Sequence, residues 1–283
     1  MRVLITGAGG FLGSHLLRGL SGHTLIAASR HRIGNCEWRH QQDLAGDVDW
    51  DAMLNGVDTV VHLASLAHRT ASEDEFDRVN HRATAALCAA AKRHGLAQLV
   101  LVSSIAAQVG HSATGVVTEN DTPAPVSPYG RSKLAAERAV AASGVPFSIL
   151  RPVLVLGDGA KGNAGTLDRL ARLPVPLPLG SITAKRSFLS VENFISAVAT
   201  VLGNQRALGE TFIVADRTPL AVGEVVAELR RQQARRPSIF ALPAGSLDAL
   251  MRLPGARGIW DKIGKPLVAS PAKLMQLGWE PTR

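Results

Sequence analysis

The sequence predicts an α/β chain: a doubly wound parallel sheet followed by a smaller C-terminal α/β lobe. Three observations carry this. Arg2 to Thr6 reads as a short apolar strand that runs through a glycine-rich turn into a helix, Phe11 to Leu20. Apolar strands and helical stretches then alternate through Leu150, the pattern that packs helices on both faces of a parallel sheet. From Arg151 the alternation loosens, and Pro174, Pro176 and Pro178 with Gly180 mark a loop, read as a segment covering a ligand, with a mere connector as the alternative. With 283 residues, 46% of them hydrophobic, the chain can build one large core and an appended lobe. The division is residues 1–150 for the first unit and 151–283 mainly for the second, with some segments returning to the first. Val191–Leu202, Val222–Gln233 and Ser246–Leu253 read as helices of the lobe, joined by a strand over Thr211–Val214.

The first turn is Thr6-Gly7-Ala8-Gly9-Gly10-Phe11-Leu12-Gly13. Gly7 permits the bend, Gly10 leaves no Cβ between backbone and phosphate, and Gly13 allows helix and strand to pack closely. The first free N–H groups and the helix dipole favour an anion there. By its spacing alone this is only a glycine-rich turn. The flanking strand and helix make it the pyrophosphate cradle of a Rossmann dinucleotide site, in which Phe11 and Leu12 are also expected to contact cofactor. The next strand, Thr24–Ala28, ends at Ser29-Arg30-His31-Arg32, where an NAD-preferring site usually places an acid. Arg30, with Arg32 as a second candidate, can pair with the 2′-phosphate of NADP; solvated loop arginines are the alternative. NADP is favoured and NAD stays open. Asp43-Leu44 is placed at the adenine edge, although a solvated Asp43 fits equally. The buried strand Asp58–Leu63 sets Leu63 and Ala64 along the cofactor, with His62 read as a satisfied histidine at a strand end rather than a base.

Further on, Tyr129 and Lys133 lie at i and i+4 of a helix that Pro128 opens and an alanine-rich run sustains, so both project from one face. A phenol of pKa about 10 needs help to exchange a proton at neutral pH, and a neighbouring ammonium and a cationic nicotinamide ring would both favour phenolate. Tyr129 is the single tyrosine of the chain. Upstream, the strand Gln98–Val102 ends in Ser103-Ser104, whose hydroxyls reach the same sheet edge and can stabilise a substrate oxygen as hydride moves. A serine that merely terminates a strand is the alternative for either.

Taken together, the glycine turn, His62-Leu63-Ala64, Val79-Asn80 with Ala83-Thr84, Val102-Ser103-Ser104, Pro128-Tyr129-Gly130-Arg131-Ser132-Lys133, Arg151-Pro152, Arg186 to Asn193 and Leu277-Gly278-Trp279-Glu280-Pro281 resemble the extended short-chain dehydrogenase/reductase family, also called the NAD-dependent epimerase/dehydratase family. The resemblance spans nearly the whole chain. It implies an NAD(P)-dependent oxidoreductase or epimerase in which Tyr129 is the acid–base residue, Lys133 binds the nicotinamide ribose and assists Tyr129, and Ser104 assists at the substrate oxygen. It adds Asn80 to the cofactor contacts. Residues between Arg151 and Phe188 are implied to form a nucleotide-sugar pocket with Asn163 and Arg186 as substrate contacts, closest to UDP-hexose or UDP-N-acetylhexosamine 4-epimerases and 4-ketoreductases. Two departures stand out. Ile105 to Gly110 is one residue longer than the family's usual run and lacks its tyrosine, and Arg30 stands where NAD-retaining epimerases keep an acid, which tilts the reading to a reductase. Ile105-Ala106 replaces the Asp-Glu pair of 4,6-dehydratases. The alternatives are an NADP-dependent reductase of a non-nucleotide carbonyl and a non-catalytic NADP sensor. A homodimer through the helices holding Ala83–Ala91 and Tyr129–Ala142 is a family-level expectation.

A net charge of +8 suits an anionic ligand. Arg230, Arg231, Arg235 and Arg236 form the densest basic cluster, read as a solvated helix face rather than a nucleic-acid site. Cys36 and Cys88 suggest neither a disulfide frame nor a metal site. The chain begins at once with a strand, which leaves no room for a signal peptide, and no apolar run approaches the ~20 residues that cross a bilayer. A soluble cytoplasmic protein is expected, with neither nucleic-acid nor membrane partner.

Overall fold

Seven strands, paired in parallel throughout, run in the order β11-β7-β5-β4-β1-β2-β3 in the computed structural model, which describes all residues except 35, 68–69, 244–263 and 283. They are β1 (Arg2–Thr6), β2 (Thr24–Ser29), β3 (Glu37–His40), β4 (Thr59–His62), β5 (Gln98–Val102), β7 (Phe147–Pro152) and β11 (Glu210–Val214). The doubly wound sheet expected from the sequence is therefore present. Its central strands read as continuous apolar runs because both faces are covered. Val3, Leu4, Ile5, Val60, Val61, Leu99 and Val100 are all wholly buried. The strand order reverses between β1 and β4, and a crevice outside the carboxyl ends of strands at such a switch point is where ligands bind in this architecture.

Helices α1 (Phe11–Gly19) and α7 (Val191–Val201) cover one face, and α2 (Trp50–Leu54), α4 (Ala83–Arg93) and α5 (Pro128–Ala142) cover the other. A short helix α3 (Glu73–Phe76) leads through a π-helical turn, Asp77–Arg82, into α4. Start signals are local: the Ser127 hydroxyl accepts from Gly130 N (3.0 Å) ahead of Pro128, and the Ser190 hydroxyl accepts from Asn193 N (3.2 Å) to open α7.

The smaller lobe pairs β8 (Leu154–Leu156) with β10 (Phe188–Ser190) and β9 (Lys185–Arg186) with β12 (Leu220–Ala221), under α6 (Gly162–Arg172) and α8 (Val222–Gln232). Leu167, Ala171, Phe188, Val222, Val225 and Val226 form its core. Two segments that the sequence assigns to this lobe belong to the main unit. Thr211–Val214 lies in β11, the edge strand beside β7, with Phe212 opposite Leu150. α7 packs on α1 because its apolar stripe of Phe194, Ala197, Val198 and Val201 is wholly buried against the sheet. Arg230, expected on a solvated helix face, is instead 2% exposed, while Arg231, Arg235 and Arg236 are exposed. The stretch Ser246–Leu253 lies outside the described residues. Among the described residues no helix is long and apolar enough to cross a membrane.

Phe194 fills the space between α1, α7 and the sheet without any exposed surface. Phe194→Ala is expected to cost about 3–5 kcal/mol in urea unfolding. A loss under about 1 kcal/mol would show that this layer repacks and that the core assignment is wrong.

Candidate active site

The glycine turn closes on itself. Gly10 N donates to Gly7 O (2.9 Å), and Gly7 sits at φ +67°, where any Cβ would lie 2.9 Å from the Ala64 backbone. A Cβ on Gly13 would come within 2.5 Å of Gly7 O, so α1 can press on the turn only with glycine there. Gly9 and Gly10 are exposed, no side chain caps the N-terminus of α1, and its first turn holds no acid. Its leading amides are free to take an anion. Gln41, which the sequence did not single out, accepts from Gly7 N through Oε1 (2.8 Å) and braces the turn from beyond β3. Arg30 and Arg32 are exposed past the end of β2 and make no ion pair among the described residues. Asp43 is exposed and accepts from Ala45 N (3.0 Å), capping its own turn. Leu44 turns into the core with Trp50 and Leu54, so its side chain is not brought to the cofactor face. Leu63 and Ala64 follow β4 directly beside Gly7.

A buried chain of hydrogen bonds links this turn to α5. Thr6 Oγ1 accepts from Leu63 N and Ala64 N (both 3.2 Å), so its proton goes to His62 Nδ1 at 2.8 Å. Nε2 of His62 must then carry the ring proton and donate to Thr84 Oγ1 (3.1 Å), which donates to Asn80 O (2.7 Å). Asn80, in the π turn, grips Leu66 N (2.7 Å) and O (3.1 Å) and donates to Ser132 Oγ (2.9 Å). Ser132 in turn donates to Tyr129 O (2.8 Å). Burial first, and the Lys133 charge second, push His62 down to about 3, so it is neutral and cannot serve as a base near pH 7.

At the end of β5 the two serines take different partners. Ser104 lies close enough to the Tyr129 phenol to oppose the rise of its pKa and accepts from Ala106 N (3.1 Å), whereas Ser103 Oγ donates to Glu137 Oε1 (2.5 Å). Of the pair, Ser104 is the one beside Tyr129. Lys133 is buried and donates from Nζ to Val102 O (2.9 Å). Burial moves both partners toward neutrality: it raises Tyr129 to about 12 against the influence of nearby Ser104, and lowers Lys133 to about 8 against the charge of Glu137. In the protein itself, then, burial outweighs the influences expected to favour phenolate. Tyr129 is a phenol able to give a proton.

Glu137 was not anticipated, although it lies two turns beyond Tyr129 on the same face of α5. Its carboxylate takes Arg151 Nη2 at 2.5 Å and Nε at 3.0 Å, and Arg151 Nη1 donates to Gln108 Oε1. Gly130 is the second unanticipated residue: a Cβ there would collide with Ala106 O, so glycine lets α5 reach the turn that holds Ser104. Gln41 carries no local signal at all.

The expected substrate contacts are more scattered. Asn163 is exposed in the first turn of α6, and Arg186 is buried on β9, donating from Nη1 to His111 O (3.1 Å) and Lys265 O. Burial lowers the Arg186 pKa. A cavity of about 1080 Å³ lies between α6, α8 and β10, bounded by Ala164, Leu179 and Phe188, and neither Asn163 nor Arg186 lines it. Its cations are engaged: Arg172 with Asp168 (2.8 Å), Lys185 with Glu224 (2.6 Å) and Arg231 with Glu228 (2.7 Å).

This geometry has relatives. The family described as "NAD dependent epimerase/dehydratase family" matches residues 3–215. A UDP-glucose 4-epimerase of Vibrio cholerae is 28% identical over 99% of this chain and 90% of that protein. A ceramide reductase of Caulobacter vibrioides is 33% identical over 68% of this chain and 57% of that protein. Among solved structures, MoeE5 in complex with UDP-glucose and NAD superposes with a TM-score of 0.78 at 27% identity, covering 100% of this chain and 94% of that one.

Two outcomes follow from the site. Between about pH 8 and 10.5 the unfolded chain holds a proton on Lys133 that the folded chain has released, so this group adds stability as pH rises through that window, and the full cost of its buried charge is present below it. The stability of the protein relative to Lys133→Met should therefore rise by roughly 2–3 kcal/mol from pH 7 to 10 in urea titrations. A difference independent of pH would mean that Lys133 is not held down by burial. Gly130→Ala should lower turnover about tenfold or more by displacing Tyr129 from Ser104, and unchanged turnover would show that the contact with Ala106 is not needed.

Proposed function

We propose that this chain, which belongs to the NAD dependent epimerase/dehydratase family of enzymes, works at C4 of a UDP-hexose or UDP-N-acetylhexosamine as a 4-ketoreductase or 4-epimerase. The observation that carries the reading is the Tyr129 phenol beside Ser104, close enough for the serine to lower its pKa, with Lys133 one helical turn on, at the sheet edge that holds the glycine turn. The exposed Gly9 and Gly10, which put no Cβ over the turn, and the uncapped α1 amides fit the pyrophosphate of a dinucleotide, with Gly7, Gly10, Phe11, Leu12 and Gly13 around it. Bound there, NAD(P) supplies or accepts the hydride. Ser104 holds the C4 oxygen; Tyr129 gives it a proton in reduction and takes one back in oxidation, and Lys133 steadies the phenolate left behind. As an epimerase, the same residues serve both half-reactions on a ketone that has turned over.

Arg30 and Arg32, exposed at the end of β2 and without an ion pair among the described residues, support NADP through its 2′-phosphate, although the MoeE5 structure holds NAD. Arg186 has one nitrogen committed to carbonyls, and its remaining donors suit a diphosphate, with Asn163 at the mouth of α6. A second reading, reduction of a non-nucleotide carbonyl, draws on the likeness to a ceramide reductase and on a cavity whose cations are already neutralised, which offers little to a dianion. Tyr129, Ser104 and Lys133 gathered at one edge argue against a mere sensor.

Thermal unfolding with NAD, NADP and UDP, singly and in pairs, separates these readings, since a ligand at 100 times its Kd stabilises by about 2.7 kcal/mol. NADP is expected to stabilise more than NAD, and UDP to add to it. NADP stabilisation with no effect of UDP would reject the nucleotide-sugar reading in favour of the second. Tyr129→Phe should keep NADP binding and lose about 10²–10⁴-fold in turnover, and Arg30→Glu should weaken NADP while sparing NAD. Equal losses for both cofactors would remove Arg30 from the 2′-phosphate site.

A further inference from the structure

The ends of α6 and α8 and the loops that follow them meet in one face of the smaller lobe. Arg230, buried in the last turn of α8, reaches across both loops: Nη1 donates to Pro237 O (3.0 Å) and Ser238 O (3.2 Å), and Nη2 to Leu173 O (3.0 Å) and Val175 O (2.7 Å). Backbone bonds join the same loops, from Leu177 N to Ser238 O and from Phe240 N to Leu177 O, both at 3.0 Å. A single buried guanidinium thus holds segments 173–177 and 237–240 together as one plate.

The plate exposes what a core would keep. Leu173, Val175 and Phe240 are 42%, 51% and 45% exposed, half of the six large hydrophobic residues exposed among the described residues. Around them stand Arg169, Arg172, Arg231, Arg235 and Arg236, all exposed. Among the described residues only Arg172 and Arg231 have carboxylate partners, Asp168 and Glu228. Arg169 turns to Thr166 Oγ1, Arg235 to Arg172 O, and Arg236 makes no ion pair among the described residues. The carboxyl ends of the two helices offset about one unit of this charge between them, and the face stays positive.

We propose that this face docks on the surface of an anionic lipid bilayer, with Leu173, Val175 and Phe240 entering the headgroup boundary and the arginines meeting lipid phosphates. Projecting apolar side chains ringed by guanidinium groups match an interface that is apolar below and negative above. A second copy of the chain fits less well, because a two-fold contact would set arginine against arginine. Nucleic acid would answer the arginines and leave Leu173 and Val175 without a partner. The cavity between α6 and α8 borders the same face through Arg172, Arg231 and Ile239, so docking sets that cavity beside the bilayer. Such docking needs no spanning segment, and among the described residues no helix is long and apolar enough to cross a membrane. The proposal does not depend on the assignment of substrate.

The test is co-sedimentation of the full chain with phosphatidylcholine vesicles, with and without an equal share of phosphatidylglycerol, at low and raised salt. Binding is expected only with phosphatidylglycerol, weakening as salt screens the charges. Arg235→Glu/Arg236→Glu should lower the partition at least tenfold, since each cation near such a surface is worth about fivefold. Leu173→Ser/Val175→Ser/Phe240→Ser should lower it at low salt too, where charge attraction is strongest. Both variants should keep the wild-type thermal unfolding and NADP response; if the triple variant fails to fold, the arginine pair carries the test. No phosphatidylglycerol-dependent sedimentation at low salt, or sedimentation unchanged by both variants, would overturn the proposal. So would a wild-type dimer that the triple variant dissolves without any vesicle binding, or duplex DNA binding as tight as vesicle binding and lost only in the arginine variant.

Discussion

The buried ion pair of Glu137 and Arg151 joins the three pieces of chain from which the candidate site's edge is made. Glu137 belongs to α5, Arg151 to β7, and the carboxylate also takes the Ser103 hydroxyl at the end of β5, while Gln108 accepts from Arg151 and donates to Asp121 O (2.6 Å). Glu137 and Arg151 are 4% and 6% exposed, so each charge depends on the other. Removing one partner of such a pair typically costs about 3–5 kcal/mol, because the survivor is left buried and uncompensated. The pair also acts at a distance. Glu137 lies one turn from Lys133 and works against the desolvation that would otherwise discharge that ammonium.

A second constraint runs from the opposite side. The hydrogen bonds through Thr6, His62, Thr84, Asn80 and Ser132 connect the first glycine turn with the backbone of Tyr129, and each buried donor along the way has an acceptor. Buried polar chains of this kind rigidify when every member is satisfied. The glycine turn and the helix that carries Tyr129 are therefore one mechanical unit. His62 serves it as a neutral link of defined tautomer, and the π turn at Asp77–Arg82 sets Asn80 where it can reach both Leu66 and Ser132.

The smaller lobe follows a different economy of charge. Its cavity holds cations, yet each is matched by a carboxylate, and the surplus positive charge of the chain is displayed at the outer ends of α6 and α8 instead. Arg230 explains how that display is built. A guanidinium satisfied by four backbone carbonyls ties two loops to a helix end, which neither loop could achieve from its own sequence.

The fold was legible, and Tyr129, Lys133 and Ser104 could be proposed as a site, because their signals are local. Strand, glycine turn and helix follow one another within the first twenty residues, and Tyr129 and Lys133 share a face through helix period alone. What the sequence could not decide depended on distant partners. Ser103 and Ser104 are equivalent as neighbours at a strand end, and only the positions of Glu137 and Tyr129 separate them. Gln41 braces Gly7 across 34 positions, and Gly130 matters because Ala106 O presses against it. Thr211–Val214 has the composition of a strand in either unit, and its place beside β7 came from pairing. Arg230 and Arg231 are adjacent in sequence and opposite in fate, since the helix turns one inward to waiting carbonyls and the other out to solvent. Periodicity and turn chemistry settle which elements exist; burial and long-range contact settle what each polar side chain does within them.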